Sequence, residues 1–210
     1  MGNATWYVRD QKDVVSYEGA ESAIAAGALC KARNKALNDA HGRGLPCIQL
    51  SDDLTRLERV FAIRKLNKTV TIPFDMAVAT MLNAAQRAQA FLAGVAPTTN
   101  KLFFNPSKAI TLTNFIVGDF ILVRPSPLRF DEEMRLKEDY DFTLQHLKSY
   151  GRVARCNNIF AYFSHRKNAG GAVGYRTAEL EQEMIAHLKR KWNHHIRDNP
   201  KRPNEVILKW

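Results

Sequence analysis

Two apolar segments that lie far apart in this sequence each border a cluster of carboxylates, and these junctions constrain the fold more than any other feature. The run at residues 45–50 is followed after one serine by Asp52 and Asp53, and residues 136–142 place three carboxylates within four positions. An apolar run is buried, whereas a carboxylate must stay solvated or paired, so each junction marks the end of a core element. We expect the two clusters to meet in one metal-assisted active site.

The carboxylates of Glu138, Asp139 and Asp141 have two interpretations. They precede an amphipathic segment at residues 142–151, and acids at the start of a helix are favoured by the helix dipole and by its free N–H groups. In the first interpretation Asp139 or Asp141 is a helix cap. In the second, Glu138 or Asp139 takes a proton from an acceptor hydroxyl as a general base.

The pair Asp52 and Asp53 also has two interpretations. It is either an ordinary acidic turn after a strand or a set of hard oxygen ligands for Mg²⁺ or Mn²⁺ on a diphosphate. In open α/β sheets, ligands bind beyond the carboxyl ends of strands, which is where these two aspartates are expected. A metal ion there would offset the charge that builds on a departing nucleotide diphosphate.

A third candidate segment follows residue 163. His165 comes directly after a predicted strand, and the glycines of residues 170–174 would let backbone N–H groups approach phosphates. Arg176, just beyond them, is suited to a bidentate phosphate contact. The plainer interpretation is a flexible loop with a surface histidine and a solvated arginine.

Composition excludes several classes of protein. The chain has 210 residues, of which 45% are hydrophobic and 25% are charged, and this is enough to bury a core. No apolar run approaches the roughly 20 residues of a membrane span, and the start lacks the layout of a signal peptide. Cys30, Cys47 and Cys156 are scattered and odd in number, which indicates neither a disulfide framework nor a zinc site. We expect a cytoplasmic protein without a membrane partner.

The charge of the chain favours a polyanionic partner. The formal net charge is +10, and an excess of this size raises the local concentration of polyanions. Residues 187–210 alone contain seven Lys or Arg against two acids. This basic C-terminal segment is the first candidate for contact with nucleic acid, and the alternative is a merely basic protein without such a partner.

Strand-like and helical segments alternate along the chain, which predicts the α/β class. The expected strands are residues 6–8, 45–50, 69–72, 102–104, 110–123 and 153–163. The expected helices are two patches between residues 19 and 44 (the second at 30–41), a long helix from Pro73 to residue 91 whose Met and Phe are core residues, and a terminal helix with an apolar face of Leu180, Met184, Leu188, Trp192 and Ile196.

Five stretches of the sequence together resemble a known family. With them, the chain is similar to the GT-A fold glycosyltransferases and, more narrowly, to the TET-associated glycosyltransferases of bacteriophages and related elements. The resemblance covers residues 6–176, and its most specific part is the Lys-Glu-Asp-Tyr-Asp-Phe run. The five stretches are residues 32–34, 49–54, 130–132, 137–142 and 150–153.

The resemblance implies a fold and a reaction. The fold is a Rossmann-like mixed central sheet flanked by helices over residues 1–176, followed by a basic C-terminal helix and tail over residues 177–210. The reaction moves a sugar from a nucleotide-sugar, here a UDP-sugar, to a hydroxyl. Members linked to TET-type oxygenases act on hydroxymethylated pyrimidines in DNA, such as hydroxymethylcytosine, and the basic segment agrees with DNA as the acceptor. A phage protein of this kind would work in the cytoplasm of the host cell.

The resemblance also implies roles for single residues. Asp52 and Asp53 would hold Mn²⁺ or Mg²⁺ on the donor diphosphate, and His165 would complete the metal site. The acid pair Glu138 and Asp139 would supply the base of an inverting enzyme, with Asp139 preferred. The donor nucleotide would be contacted by Arg33 and Asn34, and its diphosphate by Asp52 through the metal. Arg176 is added to these donor contacts from its own position after the glycines and not from the resemblance.

At its start the chain departs from the family pattern. GT-A domains open with a strand, a nucleotide-contacting loop and a helix, whereas only five residues precede Trp6. We expect either a truncated chain or a partner that supplies this part of the donor site. Two other functions stay open: the same transfer to a glycan, a protein or a small molecule, and a non-catalytic relative that binds nucleic acid.

Overall fold

The computed structural model describes residues 5–10, 22–63, 66–164 and 176–210. This part of the chain contains four α-helices and twelve strands in several sheets, so the predicted α/β class is confirmed. The helices are α1 (Leu29–His41), α2 (Phe74–Arg87), α3 (Glu138–Tyr150) and α4 (Ala178–Trp192). The strands are β1 (Thr5–Val8), β2 (Ser22–Ala25), β3 (Cys47–Leu50), β4 (Leu54–Ile63), β5 (Leu66–Thr71), β6 (Leu92–Val95), β7 (Ile110–Thr111), β8 (Phe120–Val123), β9 (Ala154–Cys156), β10 (Ile159–Phe163), β11 (Ile196–Asp198) and β12 (Val206–Leu208).

A mixed five-stranded sheet lies at the centre of the fold, in the order β3-β8-β6-β9-β7. β6 and β9 are parallel, whereas the other neighbouring pairs are antiparallel. Both β6 and β8 are buried along their whole length, as expected for internal strands that are covered on both faces. β3, the strand that precedes the aspartate pair, lies at one edge of this sheet.

Two apolar clusters cover the two faces of the central sheet. Successive side chains of a strand point to opposite faces, so Ile121 and Val123 join one cluster while Phe120 and Leu122 join the other. The first cluster includes side chains from α1, α3 and α4, and the second includes side chains from α2. The candidate site residues of α1 and α3 therefore come from the same side of the sheet.

A second, antiparallel sheet in the order β10-β4-β5 starts directly after the aspartate pair. Its main part is the hairpin of β4 and β5, paired from Glu58 with Thr71 to Ile63 with Leu66. The end of β10 returns to the acidic turn, where the Ser164 N–H donates to the carbonyl oxygen of Asp53 at 3.1 Å. The sequence predicted only residues 69–72 of this hairpin as a strand.

The terminal helix α4 buries the predicted apolar face up to Trp192, whereas Ile196, predicted on the same helix, begins β11. The Trp192 indole Nε1 donates to Asp141 Oδ1 at 2.7 Å, and Lys191 Nζ lies 2.9 Å from the same oxygen. Gln145 Nε2 donates to Asp141 Oδ2 at 2.8 Å. Asp141 is fully buried, so this one carboxylate fastens α4 to α3. Buried with them in the first cluster are Leu180, Met184, Leu188 and Ile196.

Several strand predictions are wrong, because β-propensity does not reveal where a chain turns. Residues 102–104 overlap a short 3₁₀ turn, Lys101–Phe103, instead of forming a strand. Of the predicted strand 110–123, only the two ends pair, as β7 and β8, and residues 112–119 form a loop between them. The segment 153–163 is two strands, β9 and β10, which belong to different sheets.

Two helix predictions need correction. Residues 22–25, within the first expected helical patch, form β2, which pairs in parallel with β1. Phe74 and Met76 of α2 are 40% and 45% exposed rather than core residues, whereas Met81 is fully buried. The apolar face of α2 is thus set by its Ala and Met81 positions. Within the described ranges, none of the helices has the length and apolar character needed to cross a membrane.

We expect Asp141→Ala to lower the free energy of unfolding by about 2–3 kcal/mol, because it leaves the buried Trp192 N–H without its acceptor and removes one of the two aspartates that Lys191 contacts. The matched control is Asp198→Ala, which removes the partner of Lys189 in an ion pair with side-chain exposures of 72% and 38%. This exposed pair should contribute less than about 1 kcal/mol. Urea denaturation followed by circular dichroism measures both, and equal small losses would show that Asp141 does not hold α4.

Candidate active site

The Arg33 guanidinium of α1 connects three parts of the chain. Nη1 donates to Gln49 Oε1 of β3 at 3.2 Å, and Nη2 donates to the carbonyl oxygen of Gly118 at 3.0 Å. Nη2 also lies 3.6 Å from Glu138 Oε1, at the start of α3. Gln49 Nε2 in turn donates to the Arg33 carbonyl oxygen at 2.9 Å. A single cation therefore holds β3, the loop at residues 112–119 and α3 together.

Asp139 faces the same loop. Its Oδ2 accepts a hydrogen bond from the Gly118 N–H at 3.1 Å, and its Oδ1 accepts one from the Tyr140 N–H at 2.9 Å. A Cβ at position 118 would lie 3.0 Å from Arg33 Nη2 and 3.3 Å from Asp139 Cβ. Glycine at this position thus lets the backbone approach both charged groups at once.

The pKa of Asp139 is raised to about 7, first because burial disfavours the charged carboxylate and next because Glu138 adds a neighbouring negative charge. Asp119 acts in the same direction, whereas the Gly118 N–H and the Arg33 guanidinium lower the pKa of Asp139. A carboxyl group with a pKa near neutrality can accept or donate a proton at physiological pH, which is what a general base or acid requires.

The three carboxylates in the first turn of α3 have three different partners. The N-cap residue is Lys137, which is left-handed (φ 63°) and makes no capping bond through its side chain. Neither Asp139 nor Asp141 therefore occupies the cap position. Glu138 pairs with Arg33, Asp139 faces the loop, and Asp141 is buried against α4. Asp141 therefore stabilises the fold, and Glu138 and Asp139 remain the candidates for a catalytic role.

Asp52 and Asp53 form the turn between β3 and β4, next to the loop at residues 112–119. The Ser51 N–H donates to the Asp119 carbonyl oxygen at 2.8 Å, and Asp119 is also close enough to raise the pKa of Asp139. Asp52 is exposed and Asp53 is partly buried. The acidic turn after β3 and the acids of α3 therefore flank one loop.

Sequence reasoning did not single out Gly118 and Asp119 as site residues. They lie in an apolar stretch that is typical of a strand, and only the glycine beside an aspartate indicates a break there. Both contact the predicted residues through the backbone: Gly118 through its N–H and carbonyl groups, and Asp119 through its carbonyl group. Such a role leaves little trace in the type of side chain.

Asn34 is buried on α1, and its amide bonds within the protein. Oδ1 accepts from the Phe130 N–H at 2.8 Å, and Nδ2 donates to the Phe130 carbonyl oxygen at 2.9 Å. Nδ2 also lies 3.1 Å from Glu132 Oε1. The resemblance implies a nucleotide contact for Asn34, whereas the contacts seen here fix the segment of Phe130 and Glu132 against α1.

Arg176 and His165 were both predicted to lie near the donor phosphates. Arg176 is more than half exposed and pairs with Glu181 of α4, Nε to Oε1 at 3.3 Å. Glu181 also pairs with Lys137, the residue before Glu138. Arg176 is therefore connected to the start of α3 only indirectly, through Glu181 and Lys137. His165 and the glycines at residues 170–174 lie outside the described residues.

The acidic turn fits a hard divalent cation. Mg²⁺ is commonly held by one or two carboxylates, with water and substrate phosphate oxygens completing the shell, and Asp52 and Asp53 offer such a pair at the end of β3. In the part of the chain that the structure describes, no group of three or more His, Cys, Asp or Glu side chains gathers into a metal cage. His165, which the resemblance implies as a further ligand, lies outside these residues.

Comparison of the chain with models of protein families, with curated proteins and with solved structures gave no match.

We expect Asp139→Asn to gain stability relative to the wild type as the pH rises. Asp139 has a folded-state pKa of about 7, above the value of about 3.9 in an unfolded chain. Its contribution to stability is therefore complete below about pH 4 and is lost as the pH rises to about 7. Asn cannot ionise, and its oxygen can still accept from Gly118.

The difference in the free energy of unfolding between Asp139→Asn and the wild type should shift by about 1–2 kcal/mol in favour of the variant from pH 4 to pH 8, a value discounted because Asp139 is only partly buried. Urea denaturation at a series of pH values measures it. A difference that stays constant with pH would contradict the raised pKa.

Proposed function

We propose that this protein is a metal-dependent glycosyltransferase that moves a sugar from a nucleotide-sugar to a hydroxyl group, with a hydroxymethylated pyrimidine in DNA as the preferred acceptor. The observation that carries the proposal is the convergence of Arg33, the Asp52–Asp53 turn and Asp139 on the loop at residues 112–119. These residues come from distant parts of the sequence and correspond to the donor, metal and base residues that the family resemblance implies. A mixed central sheet flanked by helices supports a GT-A-like fold.

Asp139 is the proposed general base. The acceptor hydroxyl oxygen would form a bond to the sugar carbon, the bond from that carbon to the donor diphosphate would break, and the hydroxyl proton would pass to Asp139. A carboxylate with a pKa raised to about 7 is a stronger base than an ordinary one and is still largely ionised just above neutral pH. Glu138 is less suited, because its carboxylate is already paired with Arg33.

Arg33 has a positioning role in this proposal. Its guanidinium holds Glu138 and the Gly118 carbonyl group, and Gly118 in turn donates to Asp139. Loss of Arg33 would therefore displace the base as well as weaken any contact with a nucleotide. Asp52 and Asp53 would hold a divalent ion, which, when bound, would stabilise the charge on the departing diphosphate.

The positive charge of residues 187–210 supports DNA as the acceptor. The structure distinguishes the cations of this segment that form ion pairs from those that do not. Within residues 187–210, Lys189 and Lys191 pair with aspartates and Arg202 pairs with Glu205. The remaining cations of this segment make no ion pair with a described residue, so they are the groups that could contact a phosphate backbone. They are Arg190, Arg197, Lys201 and Lys209.

The test is turnover with Mn²⁺, a panel of UDP-sugars, and DNA that contains hydroxymethylcytosine or hydroxymethyluracil. We expect sugar transfer to the modified DNA that is lost with EDTA. Asp139→Asn should lower the transfer rate by at least about 100-fold, because it removes a general base. Asp53→Ala should abolish the metal-dependent transfer while leaving the protein folded. Asp75→Asn, an exposed carboxylate on α2 outside the site, is the matched control and should leave the rate unchanged.

Other outcomes separate the alternative functions. Donor hydrolysis in water without transfer to DNA would keep the glycosyltransferase and move the acceptor to a glycan, a protein or a small molecule. No turnover with any donor or metal, together with DNA binding that Asp53→Ala leaves intact, would contradict the proposal and favour the non-catalytic nucleic-acid-binding relative.

A further inference from the structure

A groove of about 400 Å³ lies beside the start of α3, and none of the predicted site residues lines it. Its walls come from the loop at residues 113–115, from Tyr140, from Arg155 of β9 and from the C-terminal residues 206–210. The volume is in the range of small-ligand sites. Aromatic rings and cations line the same space, a combination suited to a planar ring that carries a negative charge nearby.

One wall of the groove is an aromatic pair held in place by hydrogen bonds. The rings of Phe115 and Tyr140 are stacked, with centroids 4.0 Å apart and planes at 14°. The Tyr140 hydroxyl donates to the Val206 carbonyl oxygen at 3.0 Å, which ties α3 to β12. Arg155 Nη1 donates to the Phe115 carbonyl oxygen at 3.2 Å. These bonds tie the Tyr140 side chain and the Phe115 backbone to neighbours that also line the groove.

Trp210 also lines the groove and is 44% exposed. Its ring stacks on His195, with centroids 4.6 Å apart and planes at 24°. The Lys209 N–H donates to the His195 carbonyl oxygen at 2.9 Å, and His195 Nδ1 lies 3.0 Å from the Lys209 carbonyl oxygen. An indole that is supported on one side and open on the other is a platform on which a planar ring can stack.

The cations of the groove have no acidic partner among the described residues. Arg155 is partly buried, and its hydrogen bonds go to neutral oxygens, those of Phe115 and of the Asn157 side chain. Burial lowers the pKa of its guanidinium, as expected when no carboxylate offsets the cost of desolvation. Lys209 is exposed and also lies on the groove. The site therefore has positive charge available for an anion.

Two groove residues lie close in sequence to the proposed base and to the residue that bonds to it. Tyr140 follows Asp139 directly in α3, and Phe115 precedes by three positions Gly118, which donates to Asp139. A ligand stacked on this ring pair would therefore contact the two chain segments that also hold Asp139.

We propose that this groove binds a single unpaired nucleobase of a nucleic-acid strand, stacked against Trp210 and the Phe115–Tyr140 pair, with the adjoining phosphate on Arg155 and Lys209. This rests on the proposed function, since the base held there would be the acceptor. Each base has a π-face that can stack on an aromatic ring, and an adjacent cation pairs with its phosphate. Base pairs in a duplex keep their faces stacked on one another, so only an unstacked base can enter.

The test is binding of fluorescently labelled single-stranded oligothymidylate, measured by anisotropy without any donor. We expect the single strand to bind more tightly than a duplex of equal length. Trp210→Ala should weaken single-strand binding by about 10-fold or more, the usual effect of losing one stacking ring, and Trp210→Phe should retain part of the affinity. Lys209→Ala should weaken binding and reduce the slope of log affinity against log salt by about 0.7.

Two controls make the result specific to the groove. Lys68→Ala removes an exposed lysine of β5 outside the groove, and Phe103→Ala removes an aromatic ring that is 76% exposed elsewhere; both should bind like the wild type. Equal effects of Lys68→Ala and Lys209→Ala, no effect of Trp210→Ala, or equal affinity for the duplex would each overturn the proposal. So would competition by a UDP-sugar alone, which would make the groove a donor site.

Failure of this inference and failure of the proposed function give different results. Wild-type protein that binds the single strand through Trp210 but hydrolyses no nucleotide-sugar would retain the groove and contradict the glycosyltransferase. Hydrolysis of the donor without Trp210-dependent binding would do the reverse.

Discussion

The candidate site depends on one close approach, that of the Arg33 guanidinium to the backbone of Gly118 and to the acids of α3. Two adjacent carboxylates on one helical turn repel each other, and burial increases the cost of charging both. Arg33 offsets part of this cost by pairing with Glu138, while the Gly118 N–H bonds to Asp139. Asp139 has a raised pKa despite these contacts, and this is why it is the proposed proton acceptor.

A second buried carboxylate, that of Asp141, holds the C-terminal part of the chain next to the candidate site. Asp141 binds Trp192 and Lys191, which fixes the end of α4 against α3. The chain then continues through β11 and β12 to the wall of the groove beside Tyr140. The C-terminal segment is basic in sequence, yet it contributes a buried helix face and an aromatic platform as well as charge. Electrostatic attraction and part of the base stacking would thus be supplied by the same segment, residues 178–210.

The sequence was sufficient to predict those helices in which a single apolar periodicity runs through the whole element. The apolar spacing of α4 and the helix at residues 30–41 could be predicted because each buries a single face in a common core. The break between β7 and β8 could not, because residues 112–119 have the composition of a strand but bend at residues 112–114 and turn at Gly118 and Asp119. The two acid clusters were expected to meet in one site because each ends an apolar run; in the structure the acidic turn and the start of α3 each contact the loop at residues 112–119, and a shared site stays a prediction. Which acid serves the fold and which serves the site depends on tertiary contacts that no local pattern contains.

The first turn of α3 therefore combines, within four residues, a carboxylate that stabilises the fold and the carboxylate proposed for catalysis. Side chains one position apart on a helix point about 100° apart, so Glu138, Asp139 and Asp141 reach a cation, a backbone N–H and an indole in three directions. Stability and chemistry are coupled through this turn, since loss of Asp141 would loosen α3 and thereby displace Asp139. A loss of activity in an Asp141 variant would for this reason say little about catalysis. Asp139 is separable, because asparagine preserves its bond to Gly118 and removes only the ability to take up a proton.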